Sequence, residues 1–81
     1  MRIEVLGTDG AKCKALFQTA LEALRLSGRK GRVVIVADMK KILRYGVTAP
    51  ALAINGVVVL CGTNVSPEEI LALMHQSMSM F

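Results

Sequence analysis

The dipeptide Asn55-Gly56, set between Ala51-Leu52-Ala53-Ile54 and Val57-Val58-Val59-Leu60-Cys61, limits this chain's folding choices more than any other feature. Asn-Gly accepts positive φ at both central positions of a tight turn, so two β-prone runs meeting there read as a hairpin. A two-residue turn would pair Ile54 with Val57, Leu52 with Val59 and Pro50 with Cys61. A lone hairpin is marginal in water and needs further strands or a helix to cover it. Arg2-Ile3-Glu4-Val5-Leu6 alternates polar and apolar residues, as a half-buried strand does. Arg32 to Ala37 is rich in valine and isoleucine without alternation, which predicts a strand covered on both faces.

Helices fill the gaps. Gly7-Thr8-Asp9-Gly10 breaks the first strand. From Ala11 to Ser27, Cys13, Leu16, Phe17, Ala20, Leu21 and Leu24 share one face of an amphipathic helix, which Gly28 ends. Asp38 can cap a short helix over Met39 to Tyr45, stopped by Gly46. Ser66-Pro67-Glu68-Glu69 combines an N-cap serine, a proline at the first helical position and a capping-box glutamate. The helix that follows should turn Ile70, Leu71, Leu73, Met74 and Met78 inward. The resulting order is β-α-β-α-β-β-α, and its strand-helix-strand opening implies a right-handed parallel crossover. The expected fold class is α/β, a four-stranded mixed sheet with helices on its faces, with residues 1–81 as one domain. Eighty-one residues bury only a lean core, and with 53% apolar but 4% aromatic residues that core is aliphatic.

Three stretches carry a resemblance. They are Val5-Leu6-Gly7-Thr8-Asp9-Gly10-Ala11-Lys12-Cys13-Lys14, Tyr45-Gly46-Val47-Thr48-Ala49-Pro50-Ala51-Leu52-Ala53-Ile54-Asn55-Gly56, and Gly62-Thr63-Asn64-Val65-Ser66-Pro67-Glu68-Glu69-Ile70. Together they resemble the small thioredoxin-like "redox-active disulfide" family, over essentially the whole chain and in the minimal thioredoxin fold. The resemblance implies a cis peptide bond before Pro50 and a substrate platform at Ala49 and Pro50. It also implies an active-site loop over Gly10, Ala11, Lys12 and Cys13. The family motif there is Cys-x-x-Cys, whereas this chain has Gly10 where the attacking cysteine would stand. Cys13 matches the resolving cysteine.

The remaining chemistry leaves two readings open. A thiol near a helix start, flanked by Lys12 and Lys14, gains thiolate character from the helix dipole and the two charges. Cys13 also shares its face with Leu16, Phe17 and Ala20, and burial disfavours a thiolate. Pairing of Pro50 with Cys61 would bring Cys61 toward the active-site loop, as a stand-in for the missing cysteine; otherwise Cys61 is a strand residue chosen for its size. One function is therefore altered thiol-disulfide redox activity through Cys13, with Cys61 as its candidate partner, acting on protein or peptide thiols and disulfides or on glutathione. The other is a non-catalytic module that binds a partner protein or peptide at the same groove.

Other classes are weaker. The net charge of +4 is spread out except at Arg29-Lys30-Gly31-Arg32 and Lys40-Lys41-Ile42-Leu43-Arg44, so nucleic acid is a distant third reading that rests on charge alone. No apolar run reaches the length of a membrane span, and no leader pattern follows Arg2, which makes the cytosol the expected compartment. Two cysteines make neither a disulfide framework nor a zinc site, and no cofactor or metal is expected. His75 reads as a surface residue, and Met74, Met78 and Met80 as packing or contact residues. A monomer or a weak dimer fits the size.

Overall fold

Asn55 and Gly56 both take positive φ, at 51° and 86°, and join strand β3 (Ala51–Ile54) to strand β4 (Val57–Cys61). The computed structural model describes residues 1–79, with side chains through residue 76. Met80 and the side chain of Met78 therefore lie outside the described residues. The other elements are β1 (Arg2–Leu6), helix α1 (Gly10–Ser27), β2 (Arg32–Val36), α2 (Met39–Tyr45) and α3 (Pro67–Ser79). The sheet order is β2-β1-β3-β4. β1 pairs in parallel with β2 and antiparallel with β3, and β3 and β4 are antiparallel. This is the α/β architecture expected from the element order.

The local stops and starts act as their chemistry suggests. Asp9 and Asp38 cap α1 and α2, accepting from the Lys12 and Lys40 backbone N–H groups at 3.1 and 3.0 Å. Gly28 and Gly46 close the same helices in the left-handed region. Ser66 and Glu69 form the reciprocal capping box, with Glu69 N–H donating to Ser66 Oγ and Ser66 N–H to Glu69 Oε1.

β1 is the centre of the molecule, because alternation sends its residues into two different layers. Ile3 and Val5 join Leu52 and Ile54 under α1 and α3, packed with Cys13, Leu16, Ala20, Ala23, Leu24, Ile70 and Met74. Leu6 joins Ala51 and Ala53 on the opposite face, beneath Ile42 of α2. Glu4 also lies on that second face and is only 3% exposed. Tyr45 donates its hydroxyl to Glu4 Oε1 at 3.0 Å, and the Lys41 ammonium donates to Oε2 at 3.2 Å. Two consecutive turns of α2 are thus fastened to the central strand.

Three expectations are corrected. β2 is an edge strand rather than one covered on both faces, with Arg32 exposed and Ile35 48% exposed. Leu21 is 46% exposed, and the smaller Ala23 takes a core position instead. The β3–β4 register follows the two-residue turn through Ala53–Val58 and then shifts by one residue, so Leu52 pairs with Leu60 and Ala51 with Cys61. Such a bulge leaves one residue of β4 unpaired and protects an edge strand from further pairing.

The Glu4 cluster has a pH signature. Burial alone would raise this carboxyl, but the hydrogen bonds from Lys41 and Tyr45 and the charges of Lys41 and Arg2 outweigh it and hold the carboxyl below its ordinary value. The stabilisation is complete above the carboxylate's unfolded pKa and disappears as pH falls through the lower folded one. Urea unfolding between pH 7 and pH 3 should show this loss. Glu4→Gln should cost about 1–3 kcal/mol at pH 7 and flatten the acid limb; an unchanged limb would place its origin elsewhere.

Candidate functional site

The end of β1 and the start of α1 meet at a glycine. Gly7 donates its N–H to Val36 O at 3.0 Å, extending the β1–β2 ladder by one residue. A Cβ on Gly7 would lie 2.6 Å from Cys13 Sγ, 3.5 Å from Pro50 Cα and 3.6 Å from Ala49 Cβ. The contacts to Pro50 and Ala49 would be ordinary ones, but a side chain here would press on the Cys13 sulfur. Gly7, Cys13, Ala49 and Pro50 therefore form one contiguous cluster.

Each member is held by its own element. Cys13 sits one turn into α1, donates its N–H to Asp9 O at 2.9 Å and is 2% exposed. The Ala49–Pro50 peptide bond is cis, and Pro50 O accepts the Gly62 N–H at 2.7 Å. Ala49 is exposed, and no backbone hydrogen bond engages it among the described residues. Gly10, Ala11 and Lys12 form the exposed first turn of α1. A Cβ built on Gly10 would meet nothing within 4 Å, so the space beside the cluster is open.

Burial and charge act in one direction on Cys13. Burial pushes its thiol above the ordinary value, and the nearby Asp9 carboxylate pushes it further in the same direction. Asp9 caps the helix that would otherwise favour an anion there, and Lys12 and Lys14 are exposed beside it. Cys13 is accordingly a packed thiol whose surroundings oppose the anion, in line with the buried-residue reading of this position.

Cys61 is not brought to this cluster by the pairing expected for it. The bulge sets it opposite Ala51 instead of Pro50, and cross-strand partners share a face. Ala51 belongs to the layer under α2, whereas Cys13 belongs to the layer under α1 and α3. Both thiols are free; Cys13 is buried and Cys61 exposed. Among the described residues no three side chains of His, Cys, Asp or Glu gather as metal ligands, and His75 is exposed on α3. The residue that sequence reasoning missed is Gly7, which looks like any strand-ending glycine until Cys13 and Pro50 arrive from elsewhere.

Comparison with known proteins follows the same outline. The family model described as a thioredoxin domain matches residues 1–75. A thioredoxin of Methanothermobacter thermautotrophicus is 37% identical over 71 residues, covering 86% of this chain and 92% of that protein.

Crowding at Gly7 is directly testable. Gly7→Ala should destabilise the fold by about 1–3 kcal/mol, the usual cost of overpacking. Adding Cys13→Ala should recover most of that loss in a double-mutant cycle followed by urea unfolding. Simple additivity would mean that the two positions do not press on each other.

Proposed function

The chain belongs to the thioredoxin domain family, and we propose that it works there as a peptide-binding module without dithiol turnover. An extended segment pairs with the unengaged Ala49 backbone and lies across Pro50, while Gly10 leaves room for the side chain that faces α1. Partners are protein or peptide segments, including those bearing thiols or disulfides, and glutathione is the smallest of them. A reducing compartment such as the cytosol suits two free cysteines. The observation that carries this reading is the pair of positions on α1: open space at Gly10, where the family resemblance would put an attacking thiol, and a buried thiol at Cys13.

One observation favours a redox reading as the second choice. Cys13 Sγ packs on Gly7 beside Ala49 and Pro50, so a disulfide lying in the groove would approach it. In that reaction the Cys13 thiolate attacks one sulfur of glutathione disulfide. The original S–S bond breaks as the mixed disulfide forms, and the departing glutathione thiolate takes up a proton.

Two measurements separate the readings. S-methylglutathione, which has no free thiol, should shift the backbone amides from Thr48 to Ala51 in the wild-type protein; an unmoved groove overturns peptide binding. In a Cys61→Ser background, insulin reduction by dithiothreitol should stay at the uncatalysed rate, and Gly10→Cys should raise it by at least about tenfold by restoring an exposed attacking thiol. A Cys61→Ser protein already as active as its Gly10→Cys derivative would make Cys13 a catalyst and favour the redox reading.

A further inference from the structure

Arg2 and Arg32 are direct neighbours in the parallel β1–β2 ladder, at the end where both strands begin. Adjacent strands run about 4.8 Å apart, so two guanidinium groups start side by side on one face of the sheet. Like charges placed this way are destabilising unless something lies between them. Lys30 and Gly31 from the approach to β2, Asn55 from the hairpin and Met1 complete the rim of a wide, open surface cavity of about 610 Å³. Arg2, Lys30, Arg32 and Asn55 are all exposed.

Of the three side-chain cations on this rim, only Arg2 has a carboxylate within reach among the described residues. Asp9 and Asp38 cap helices, Glu22 holds Arg25 at 2.7 Å, and Glu69 belongs to the capping box. Glu4 reaches Arg2 at 3.9 Å, but its buried carboxylate already accepts from Lys41 and Tyr45. Lys30 and Arg32 meet no carboxylate among the described residues. Asn55 uses its Oδ1 to accept the Arg2 N–H at 2.9 Å and its own N–H to donate to Arg2 O at 2.8 Å. Its side-chain amide nitrogen is left as a further donor. The side chains on the polar rim thus offer two planar guanidinium forks, one ammonium and one amide, all of them donors.

We propose that this cavity binds a small polyphosphate anion, with Arg2 and Arg32 as a double fork and Lys30 and Asn55 as flanking donors. Phosphate suits the arrangement because its tetrahedral oxygens can meet two guanidinium planes at once, and because two linked phosphoryl groups carry enough charge to balance the cations. A single carboxylate supplies neither. A nucleic-acid strand fits less well: no exposed aromatic platform accompanies the cations among the described residues, as Tyr45 is half-buried against Glu4 and Phe17 is partly buried. The site lies at the opposite end of β1 from Gly7 and is independent of the groove at Ala49 and Pro50.

The test is an NMR titration of the wild-type protein with pyrophosphate, against sodium chloride at matched ionic strength. Saturable shifts confined to Arg2, Lys30–Arg32 and Asn55–Gly56 are expected with pyrophosphate alone. Arg32→Gln or Lys30→Gln should weaken binding by about tenfold, while Arg44→Gln on α2 should leave it within about twofold. Shifts matched by sodium chloride, or equal losses in all three variants, would reduce the site to diffuse positive charge and overturn it. So would a single-stranded RNA oligonucleotide that binds more tightly than pyrophosphate and spreads its shifts onto α2, since that would make the surface a polyanion track.

Discussion

The close approach of Gly7 to Cys13 and Pro50 holds the thiol end of the molecule together. β1 ends there, α1 begins three residues before its buried thiol, and the chain enters β3 through Pro50. The start of α1 and the approach to β3 both come up to this one backbone position. A Cβ on Gly7 would press on the Cys13 sulfur, so the close packing of α1 on the end of β1 depends on this glycine. The peptide-binding surface proposed at Ala49 would depend on that arrangement, since α1 also carries the open space at Gly10.

Much of the fold was legible in local signals. Asp38 and Gly46 bracketed α2, Ser66 to Glu69 began α3, and Asn55-Gly56 located the hairpin turn. Each of these acts through backbone hydrogen bonds or φ preferences within a few residues, which is why a single chain reveals them. The errors came where the deciding partner is remote. Valine and isoleucine made β2 look doubly covered, but its place at the edge depends on which side of β1 is taken by β3. The bulge in β4 depends on how the hairpin packs after its turn, and it moved Cys61 to the wrong layer for Cys13. Glu4 read as an outward residue of an alternating strand. It is buried because α2 lies over that face and supplies Lys41 and Tyr45 as partners.

The candidate site was legible in part for the same reason. The positions of Gly10, Cys13, Ala49 and Pro50 could be named from the resemblance, but the state of the Cys13 thiol could not. A helix start argues for a thiolate and a hydrophobic stripe argues against one, and only burial decides the contest. At 2% exposure, with the Asp9 carboxylate nearby, desolvation and repulsion act together against the anion. The dipole effect is modest and already satisfied by the Asp9 cap.

Glycine at position 10 need not weaken the scaffold that cysteine would have occupied. A side chain there would touch nothing within the chain, so its absence opens no cavity, and the first helical turn remains capped by Asp9. Cys13 is different: it fills space against Gly7 and belongs to the core under α1 and α3. Position 10 is therefore free of packing constraints from a Cβ, whereas Cys13 has a packing role whether or not it reacts. A buried cysteine with a packing role is by itself no sign of catalysis; the proposal of a bound partner rests instead on the exposed Ala49 backbone and the open space at Gly10.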